Sequence, residues 1–464
     1  MKWYSKIARL ALVVSLLWAA APRSVVAQEG DPVYIVQPGD TLFSIARQFG
    51  ITVEALQAAN PTVNAKALPI GQPLFIPGFD EFSGTLSVHL LEPGESLASL
   101  ARRYGLRRET LIRLNRILNP DQLYINQPVI LIDRAETTAI AAGESVELEA
   151  GRSMLALAAA HNANPWAVAA ANGLEQPGAV PPGVHLAFPG GETPLKALPV
   201  AIRDLRLWPL PAQQGRTLVI QVVTRAPAQL SGTLGEWPLN FVADPVVPNT
   251  YYALHGIYRL AEPNLYPLNV RVIDEAGRVG AFVQSLPVRA GQYGVDPPLT
   301  VPPETLDPAN TLPESERVRA IVTQVTPEKL WNGKFLLPSV GVIRSRFGSL
   351  RSYNGGPYDS FHGGTDFSGG EDRPITAPAA GIVRLAENLT VRGGATIIDH
   401  GWGVFTGYWH QSQILVRVGD RVEPGQIIGY NGATGRATGP HLHWEVWVNG
   451  FQVDPLEWTE VAFP

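Results

Sequence analysis

Histidine and aspartate residues near the C-terminal end of the chain have the types and spacing of metal ligands. Five of the nine histidines lie between His362 and His443. Two of them form the pair His441-Leu-His443, and the following Trp444-Glu-Val-Trp-Val448 alternates as a strand does. Because residues i and i+2 of a strand point to one face, both imidazoles should face the same groove. Neutral imidazole is a common metal ligand, so the pair is a candidate metal site.

A second segment adds the oxygen donor that such a site needs. His362-Gly-Gly-Thr-Asp366 carries a histidine and a carboxylate, and its two glycines allow the backbone to bend closely. The chain has no cysteine, so its metal sites must be built from histidines and carboxylates. Two imidazoles and one carboxylate leave a coordination position open, as in catalytic zinc sites. Zinc in such a site lowers the pKa of water and polarises a carbonyl group.

The C-terminal motifs resemble those of the lysostaphin-type zinc endopeptidases, which cut peptidoglycan peptides. The resemblance spans roughly residues 335–458. Its motifs are Leu337-Pro-Ser-Val-Gly-Val-Ile-Arg-Ser-Arg-Phe-Gly348, His362-Gly-Gly-Thr-Asp-Phe367, Gly419-Asp-Arg-Val-Glu-Pro-Gly-Gln-Ile-Ile-Gly429 and Thr438-Gly-Pro-His-Leu-His-Trp-Glu445. The resemblance implies a small all-β domain of the duplicated-hybrid-motif type, with one Zn2+ per chain in an open groove.

The same resemblance implies roles for single residues. The implied zinc ligands are His362, Asp366 and His443. His410 and His441 would be catalytic histidines that do not bind the metal but help to deprotonate the attacking water, stabilise the oxyanion and protonate the leaving amine. Which of the two is the general base stays open. His400 is expected to be a turn or groove-wall residue rather than a catalyst, and Glu445 is expected to be structural.

A repeated segment occupies the N-terminal part of the chain. Val36-Gln-Pro-Gly-Asp-Thr-Leu-Phe-Ser-Ile-Ala-Arg-Gln-Phe-Gly50 recurs 55 residues later as Leu91-Glu-Pro-Gly-Glu-Ser-Leu-Ala-Ser-Leu-Ala-Arg-Arg-Tyr-Gly105, and a weaker third copy follows. In the first copy, Asp40 or Thr41 can cap a helix that Gly50 can end. The residues at helical spacing between them are Leu42, Ile45, Ala46 and Phe49. With a second short helix and a strand on each side, the pattern predicts a βααβ unit of about 45 residues.

The repeat resembles the lysin motif (LysM), a small module that binds glycans containing N-acetylglucosamine. The first two copies match over their whole length, whereas the third has Arg152 in place of the acidic residue and is expected to be divergent. The resemblance places the ligand groove between the first helix and the loop before the second strand. The residues it implicates in glycan binding are Gly39, Asp40, Thr41, Gly94, Glu95 and Ser96. The alternative for the repeats is a simple spacer.

Between the repeats and the C-terminal domain, the sequence changes to short strands. Thr217–Thr224 and Pro267–Ile273 have the composition of strands, and Asp274-Glu-Ala-Gly277 that of a turn. Several strands at short spacing predict a β-sandwich of immunoglobulin type that acts as a spacer. Asp296–Asn310 has five prolines and is expected to be an extended linker. The apolar pattern of Glu314–Val325 predicts a helix that docks on the next domain.

The predicted fold class is multidomain: α+β LysM repeats, an all-β immunoglobulin-like sandwich and a C-terminal all-β peptidase domain. A length of 464 residues allows several domains. The predicted ranges are 1–27 for a signal peptide, 32–78, 85–133 and 144–190 for three repeats, 195–293 for the sandwich, 294–334 for a linker and helix, and 335–460 for the peptidase domain.

The first residues predict export from the cytoplasm. Basic residues precede an apolar run, Leu10–Ala21, that is short for a membrane span, and Val25-Val-Ala27 offers the small residues that a signal peptidase reads. We therefore expect a secreted chain with no transmembrane segment after processing. The alternative is an uncleaved membrane anchor, which would also place the rest of the chain outside the cytoplasm. The net charge of -5 argues against nucleic acid as a partner.

Together these features predict a secreted, cell-wall-associated zinc metalloendopeptidase. LysM repeats would hold it on peptidoglycan glycan strands while the C-terminal domain cleaves stem or cross-link peptides. One alternative is a non-catalytic, glycan-bound regulator of other wall enzymes, and another is a secreted protease for glycine-rich proteins. The scissile bond stays open.

Overall fold

The structure is a computed structural model that describes residues 32–464 with several gaps. The gaps are residues 65–67, 81, 121, 134–144, 162, 164, 173, 175–179, 182 and 189–195. The predicted signal peptide, residues 1–27, lies outside the described residues. The described chain forms two compact units, one of residues 32–88 and 130–133 and the other of residues 89–129 and 145–464. No helix among the described residues is long and apolar enough to cross a membrane.

The first unit contains the first repeat, in the order that the sequence predicts. Its elements are β1 (Val33–Ile35), α1 (Leu42–Phe49), α2 (Val53–Ala59) and β2 (Pro73–Phe75). Helix α1 begins where the Thr41 side chain accepts a hydrogen bond from the Ser44 N–H, and it ends at Gly50, which is left-handed with φ 64°. The predicted apolar face of α1 is confirmed, because Leu42, Ile45, Ala46 and Phe49 are buried.

The second and third repeats keep the same order of elements. Their strands and helices are β3 (Thr85–Leu90), α3 (Leu97–Arg103), α4 (Arg108–Leu114), β4 (Pro128–Asp133), β5 (Ser145–Glu147), α5 (Met154–Ala160), α6 (Pro165–Ala171) and β6 (His185–Ala187). Strands β1–β4 form one sheet in the order β2-β1-β3-β4, and β5 pairs with β6. The third copy therefore has the βααβ arrangement despite its divergent sequence.

An asparagine amide ties the second helix of a repeat to its last strand. In the first repeat, the Asn60 amide donates to the carbonyl oxygens of Leu56 and Phe75 at 2.8 Å, and its oxygen accepts from the Phe75 N–H at 2.9 Å. Asn172 makes the equivalent three contacts in the third repeat. Satisfying these backbone groups is a physical reason for an asparagine at this place in the repeat.

Residues 202–289 form two packed sheets. Their strands are β7 (Ile202–Trp208), β8 (Ala212–Gln213), β9 (Thr217–Thr224), β10 (Ala228–Leu234), β11 (Trp237–Leu239), β12 (Val242–Ala243), β13 (Thr250–Gly256), β14 (Asn264–Asp274) and β15 (Val279–Arg289). One sheet has the order β11-β10-β14-β15-β8 and the other β12-β13-β9-β7. A shared apolar cluster between them includes Leu205 and Val222 of one sheet and Leu268 and Phe282 of the other.

The segment that follows is more ordered than a linker. Val295 and Leu299 form parallel β-bridges with Leu350 and Tyr353 of the C-terminal domain. A 3-10 turn (Pro303–Thr305) comes before a helix.

The helix in this segment, α7 (Pro308–Val322), begins and ends earlier than the predicted Glu314–Val325. It starts early because Asp307 accepts a hydrogen bond from the Ala309 N–H and proline fits the first helical position. The predicted docking is confirmed, since Val318 and Val322 pack in a buried cluster with residues of the C-terminal domain.

The C-terminal domain is built almost entirely from strands. They are β16 (Val342–Ser345), β17 (Leu350–Arg351), β18 (Ser360–Phe361), β19 (Thr365–Ser368), β20 (Pro374–Thr376), β21 (Gly381–Leu389), β22 (Gly393–Gly401), β23 (Val404–Gln411), β24 (Gln413–Ile414), β25 (Arg421–Val422), β26 (Ile427–Tyr430), β27 (His441–Val448) and β28 (Phe451–Val453), followed by α8 (Pro455–Glu460). The main sheet has the order β16-β19-β27-β23-β22-β21-β25, with β28 beside β27, and β20-β26-β24 form a smaller sheet. On β27, Leu442, Trp444 and Val446 enter the core.

A buried carboxyl group joins the C-terminal domain to the two packed sheets. Glu457 of α8 accepts a hydrogen bond from the Thr217 N–H at 2.9 Å, and the Trp458 indole donates to the Thr217 hydroxyl at 3.2 Å. Burial raises the pKa of Glu457 to about 7, against the opposing effect of the Thr217 N–H. The folded chain therefore binds this proton more tightly than the unfolded chain does.

We expect Glu457 to make the stability fall as pH rises from about 4.5 to about 7, the interval between its unfolded and folded pKa values. In this interval the folded state holds more protons than the unfolded state, so stability decreases by up to about 3 kcal/mol from this group. Glu457→Gln should remove that part of the pH dependence, as measured by denaturant unfolding at pH 5 and pH 7.5. The exposed Glu460→Gln on the same helix is the control, and an unchanged pH dependence in Glu457→Gln contradicts the expectation.

Candidate functional site

Three side-chain atoms converge on one point between strands β19 and β27. The antiparallel register places Asp366 opposite His443, and His362 precedes β19. The His362 Nε2 atom lies 2.9 Å from Asp366 Oδ1 and 2.9 Å from His443 Nδ1, and the third distance, His443 Nδ1 to Asp366 Oδ1, is 2.8 Å. All three residues are buried. The three residues implied as zinc ligands by the sequence are thus brought together.

Hydrogen bonds on the far side of each ring show which nitrogen faces this point with a lone pair. His362 Nδ1 lies 2.9 Å from the carbonyl oxygen of Arg346, which can only accept, so Nδ1 carries the proton and Nε2 does not. His443 Nε2 lies 2.8 Å from a carboxylate oxygen of Glu445, so in the neutral ring Nδ1 is the unprotonated nitrogen. Two imidazole lone pairs and one carboxylate oxygen therefore face one another.

Such a cluster requires a positive charge at its centre. Burial alone would lower the pKa of His443, but its hydrogen bonds to Asp366 and Glu445 outweigh burial and raise it. Burial lowers the pKa of His362 to about 4, which favours its neutral, metal-binding form. A divalent ion in contact with all three atoms supplies the charge, and two nitrogens and one oxygen are the ligands that zinc accepts. The donor set therefore fits zinc, with a coordination position left for substrate or water.

The second oxygen of the Asp366 carboxylate accepts a hydrogen bond from Arg351, a residue that the sequence did not predict to belong to the site. Arg351 donates to Asp366 Oδ2 at 2.9 Å through Nη2 and to Asp296 Oδ2 at 3.0 Å through Nε. Asp296 also accepts from the Ser345 hydroxyl at 2.9 Å. This chain of contacts fixes the carboxylate from behind. It links residues far apart in the sequence, so no local motif could have revealed it.

The two glycines of the His362 segment permit a close approach to β27. A side chain at Gly364 would collide with the backbone oxygen of Trp444, and one at Gly363 would collide with the Gln452 amide. That amide donates to Glu445 Oε2 at 2.8 Å, so it also orients the carboxylate behind His443. Glu445 is thus a neighbour of a ligand rather than a fourth ligand, in agreement with the expected structural role.

The remaining histidines implied as catalytic lie beside the three donors. His441 Nε2 is 3.8 Å from Asp366 Oδ1, while its Nδ1 is bonded at 2.8 Å to the carbonyl oxygen of Gly439. His410 Nδ1 is bonded at 2.8 Å to the carbonyl oxygen of Thr434. In both rings the proton therefore sits on Nδ1, and the Nε2 lone pair is available for proton transfer.

A β-bulge brings His410 to this face. Between the pairs Thr396–Tyr408 and Gly394–Gln411, strand β23 has one residue more than β22, and His410 adopts φ 66°. Regular alternation would have sent its ring to the same side as Tyr408, which is in the core. Instead the His410 ring lies 4.8 Å from the ring of His441. Burial, with the neighbouring His441 and His443, keeps the pKa of His410 well below its usual value, so the ring is neutral.

A cleft of about 700 Å³ opens over this cluster, and its walls extend beyond the predicted peptidase domain. Tyr258 and Leu260 come from the two packed sheets, and Asp296, Leu299 and Val301 come from the segment predicted as a linker. Hydrogen bonds hold that segment in place, such as Val301 N–H to Asn354 Oδ1 at 2.9 Å. The sequence did not predict that these residues line the cleft, because their position depends on bridges and hydrogen bonds between segments far apart in the chain.

His400 does not belong to the site. Its Nδ1 lies 2.7 Å from the carbonyl oxygen of Ala380, its Nε2 lies 2.8 Å from the Thr406 hydroxyl, and burial lowers its pKa to about 4. Both ring nitrogens are thus used within the core. His400 is not a catalyst, as expected, but it is fully buried in strand β22 rather than in a turn or a groove wall.

In the first repeat, the residues implicated in glycan binding shape the turn before α1. Asp40 accepts hydrogen bonds from the Tyr34 hydroxyl at 2.7 Å and the Gln37 N–H at 2.8 Å, and Thr41 caps α1. Gly39 has φ 86°, which favours glycine. Glycan binding by these three residues stays a prediction.

In the second repeat, the equivalent turn packs against later parts of the chain. The Gly94 N–H donates to Gln284 Oε1 at 2.9 Å, and the Gly94 carbonyl accepts from the Ala197 N–H at 2.6 Å. Glu95 is buried and pairs with His89 and Arg103. The Ser96 hydroxyl accepts from the Ser99 N–H, as a helix cap does. Glycan binding by Gly94, Glu95 and Ser96 stays a prediction, and the backbone of Gly94 already has other partners.

Comparison with known proteins identifies the domains that contain these residues. Residues 360–455 match the family model described as Peptidase family M23, and residues 34–77 and 89–131 match the LysM domain model. The chain therefore contains two LysM domains and a C-terminal M23 peptidase domain, which confirms both resemblances drawn from the sequence.

Curated relatives and solved structures match parts of the chain. It is 42% identical over 96 residues to the peptidoglycan DD-endopeptidase ShyA of Vibrio cholerae, covering 21% of this chain and 22% of the relative. It is 39% identical over 103 residues to the DD-carboxypeptidase/endopeptidase Mpg of Neisseria meningitidis, covering 22% of this chain and 23% of the relative. A structure of a putative peptidase M23 from Pseudomonas aeruginosa is 27% identical with a TM-score of 0.41, covering 55% of this chain and 96% of that one. The chain thus spans less than a quarter of the length of these two curated relatives.

We expect Glu445→Ala to lower the affinity for zinc by about 10- to 100-fold, because the acceptor that fixes the His443 tautomer is lost. Competition with a chromophoric chelator measures this affinity. Glu423→Ala removes an exposed glutamate of the same domain and should leave it unchanged. Equal zinc affinity in Glu445→Ala and the unsubstituted chain would contradict a positioning role for Glu445.

Proposed function

We propose that this chain, with its M23 peptidase domain and two LysM domains, is a secreted, cell-wall-associated zinc metalloendopeptidase that cleaves peptide bonds of peptidoglycan. The observation that carries the proposal is the convergence of His362, Asp366 and His443 with two further imidazoles beside them. The similarity to ShyA, a peptidoglycan DD-endopeptidase, supports this substrate class, and the similarity to Mpg, a DD-carboxypeptidase/endopeptidase, supports the peptidase activity.

The zinc ion would be held by His362 Nε2, Asp366 Oδ1 and His443 Nδ1, where it would lower the pKa of water and polarise the scissile carbonyl. Arg351 orients the Asp366 carboxylate, and Glu445 keeps the His443 ring in the binding tautomer.

Proton transfer would fall to His410 and His441. Each ring has its Nδ1–H bonded to a backbone carbonyl oxygen, so Nε2 is the atom that can accept a proton from the attacking water. The same atom, once protonated, can donate to the leaving amine or to the developing oxyanion. The His410 ring is buried and the His441 ring is half-buried, and burial lowers the pKa of each, so both are neutral at rest, as a general base must be. Either ring can serve as the base.

The LysM domains would hold the enzyme on glycan strands, and several weak sites on one chain would raise the effective concentration of the peptidase at the wall. The two packed sheets would be an immunoglobulin-like spacer, in keeping with their mostly antiparallel strands and shared core. Residues 1–27 would be removed as a signal peptide, which would place the remaining chain outside the cytoplasm.

The alternative, a non-catalytic regulator of other wall enzymes, has less support. A regulator has no need for intact metal ligands, yet all three are present and converge, and both flanking histidines are oriented for proton transfer.

We expect His410→Ala to retain zinc but to lose activity on purified peptidoglycan by about 10²- to 10⁴-fold, the usual contribution of a general acid or base. Asp366→Ala should lose both zinc and activity, because it removes one of the three ligands and the carboxylate that Arg351 Nη2 contacts. Zinc content is measured by elemental analysis and cleavage by mass spectrometry of released muropeptides.

Tyr358→Phe is the control for these two variants, because among the described residues its hydroxyl donates a hydrogen bond to the Asp296 carbonyl oxygen, at 3.1 Å, and to no metal-site residue. It should keep both zinc and activity. Equal loss of zinc in His410→Ala and Asp366→Ala would refute the division into ligand and non-ligand histidines.

We expect two exposed apolar side chains of the first repeat to contribute to wall binding. Phe43 lies in α1 and Ile70 in the loop before β2, the two elements that border the predicted glycan groove, and they are 66% and 67% exposed. Phe43→Ser and Ile70→Ser should each weaken sedimentation with insoluble peptidoglycan by about 3- to 10-fold, since apolar area that a sugar ring would cover is lost. Cleavage of a small soluble peptide should not change.

Val246→Ser, which alters an 83% exposed residue of the two packed sheets, is the matched control. If Phe43→Ser, Ile70→Ser and Val246→Ser all bind insoluble peptidoglycan as well as the unsubstituted chain does, the groove of the first repeat does not hold the chain on the wall.

A further inference from the structure

The cleft over the metal ligands is lined by four arginines, and two of them form ion pairs with carboxylates. Arg351 pairs with Asp366 and Asp296, and Arg392 Nη1 donates to Glu314 at 2.8 Å. No carboxylate of the described residues lies within 4.0 Å of the other two, Arg344 and Arg436. Arg344 is exposed to water, which hydrates its charge.

Arg436 differs from Arg344 because it is partly buried. Its guanidinium lies 4.9 Å from the centre of the Tyr353 ring, stacked on an aromatic face within the cleft. Burial lowers the pKa of Arg436, and the positive charges of Arg392 and Arg351 lower it further, while Glu314 opposes them. A half-buried guanidinium beside other cations is costly unless an anion joins it.

The backbone around Arg436 is held firmly. The Arg436 N–H donates to the carbonyl oxygen of Val391 at 2.7 Å. The preceding Gly435 has φ 71°, and a side chain there would collide with the backbone of Gly393. With its backbone fixed and its guanidinium against the Tyr353 ring, the Arg436 side chain is restricted before substrate arrives, which reduces the entropy lost on binding.

The loop that carries Arg436 also positions both histidines beside the metal ligands. Thr434, two residues earlier, supplies the carbonyl oxygen that fixes His410, and Gly439, three residues later, supplies the one that fixes His441. A substrate group bound by Arg436 would thus lie in a fixed position relative to the Nε2 atoms of His410 and His441, which would transfer the proton.

We propose that Arg436 binds a free carboxylate of the substrate peptide and so selects acidic peptides over neutral ones such as oligoglycine. The planar guanidinium, with several N–H donors, matches a carboxylate in bidentate fashion. This inference rests on the proposed peptidase function. The carboxylate can be the C-terminal group of the peptide or a side-chain carboxylate near the scissile bond, and both present the same chemistry.

The test uses the full chain and matched peptides that differ only at one carboxyl group. One pair has a C-terminal carboxylate or carboxamide, and a second pair has a side-chain carboxylate or its amide. We expect a higher kcat/KM for the carboxylate member of one pair, by about 10- to 100-fold, as a charge-assisted bidentate contact provides. The pair that shows the preference identifies the source of the carboxylate.

Arg436→Gln should abolish this preference by slowing only the carboxylate peptide, and Arg436→Lys should keep part of it. Arg421→Gln removes an exposed arginine that does not line the cleft and should leave the preference intact. If Arg436→Gln slows carboxylate and amide peptides equally, Arg436 is only a structural residue. If the unsubstituted chain shows no preference in either pair, the inference is wrong.

A binding measurement separates this inference from the proposed function. Calorimetry of each peptide with the metal-free chain should show tighter binding of the carboxylate member, and Arg436→Gln should abolish the difference. Preferential binding without cleavage of any peptide or of peptidoglycan by the zinc-loaded chain would support the carboxylate site and overturn the peptidase proposal. Cleavage by the zinc-loaded chain, together with equal binding of both members of each pair, would support the peptidase proposal and overturn the carboxylate site.

Discussion

Two imidazole lone pairs and a carboxylate oxygen are held within 3 Å of one another, and the surrounding structure serves this arrangement. Lone pairs at such distances repel unless a cation lies among them, so the site is built for a positive charge. The β19–β27 register brings Asp366 opposite His443, and the glycines after His362 let that segment approach β27. A change that separates these strands would disperse the donors.

Each polar group at the centre is oriented by a partner behind it. A backbone carbonyl holds the proton of His362 on Nδ1, Glu445 does the same for Nε2 of His443, and Arg351 occupies the second oxygen of Asp366. In His410 and His441 a backbone carbonyl oxygen likewise holds the proton on Nδ1. Because the tautomers are fixed before a ligand arrives, little reorganisation is needed for metal binding or proton transfer.

The cleft depends on parts of the chain that precede the peptidase domain. The segment around Asp296 adds residues to its wall and is joined to the C-terminal domain by two isolated β-bridges, helix α7 supplies Glu314 to hold Arg392, and Tyr258 reaches in from the loop after β13. Glu457 and Thr217 join those sheets to the C-terminal helix. The second unit therefore contributes to the shape and charge of the cleft well upstream of the catalytic motifs.

Local patterns were enough to predict the βααβ order of the repeats, the buried face of α1 and the shared face of His441 and His443, because each follows from helical or strand periodicity within a few residues. They also limited a metal site to histidines and carboxylates. Other features were decided by the tertiary structure. The bulge that turns His410 towards His441 breaks the strand period, Asp296 and Arg351 are brought to Asp366 by pairing of distant segments, and α7 begins before its apolar pattern does. These contacts join residues far apart in the chain, and no local periodicity records which distant partner a side chain will meet.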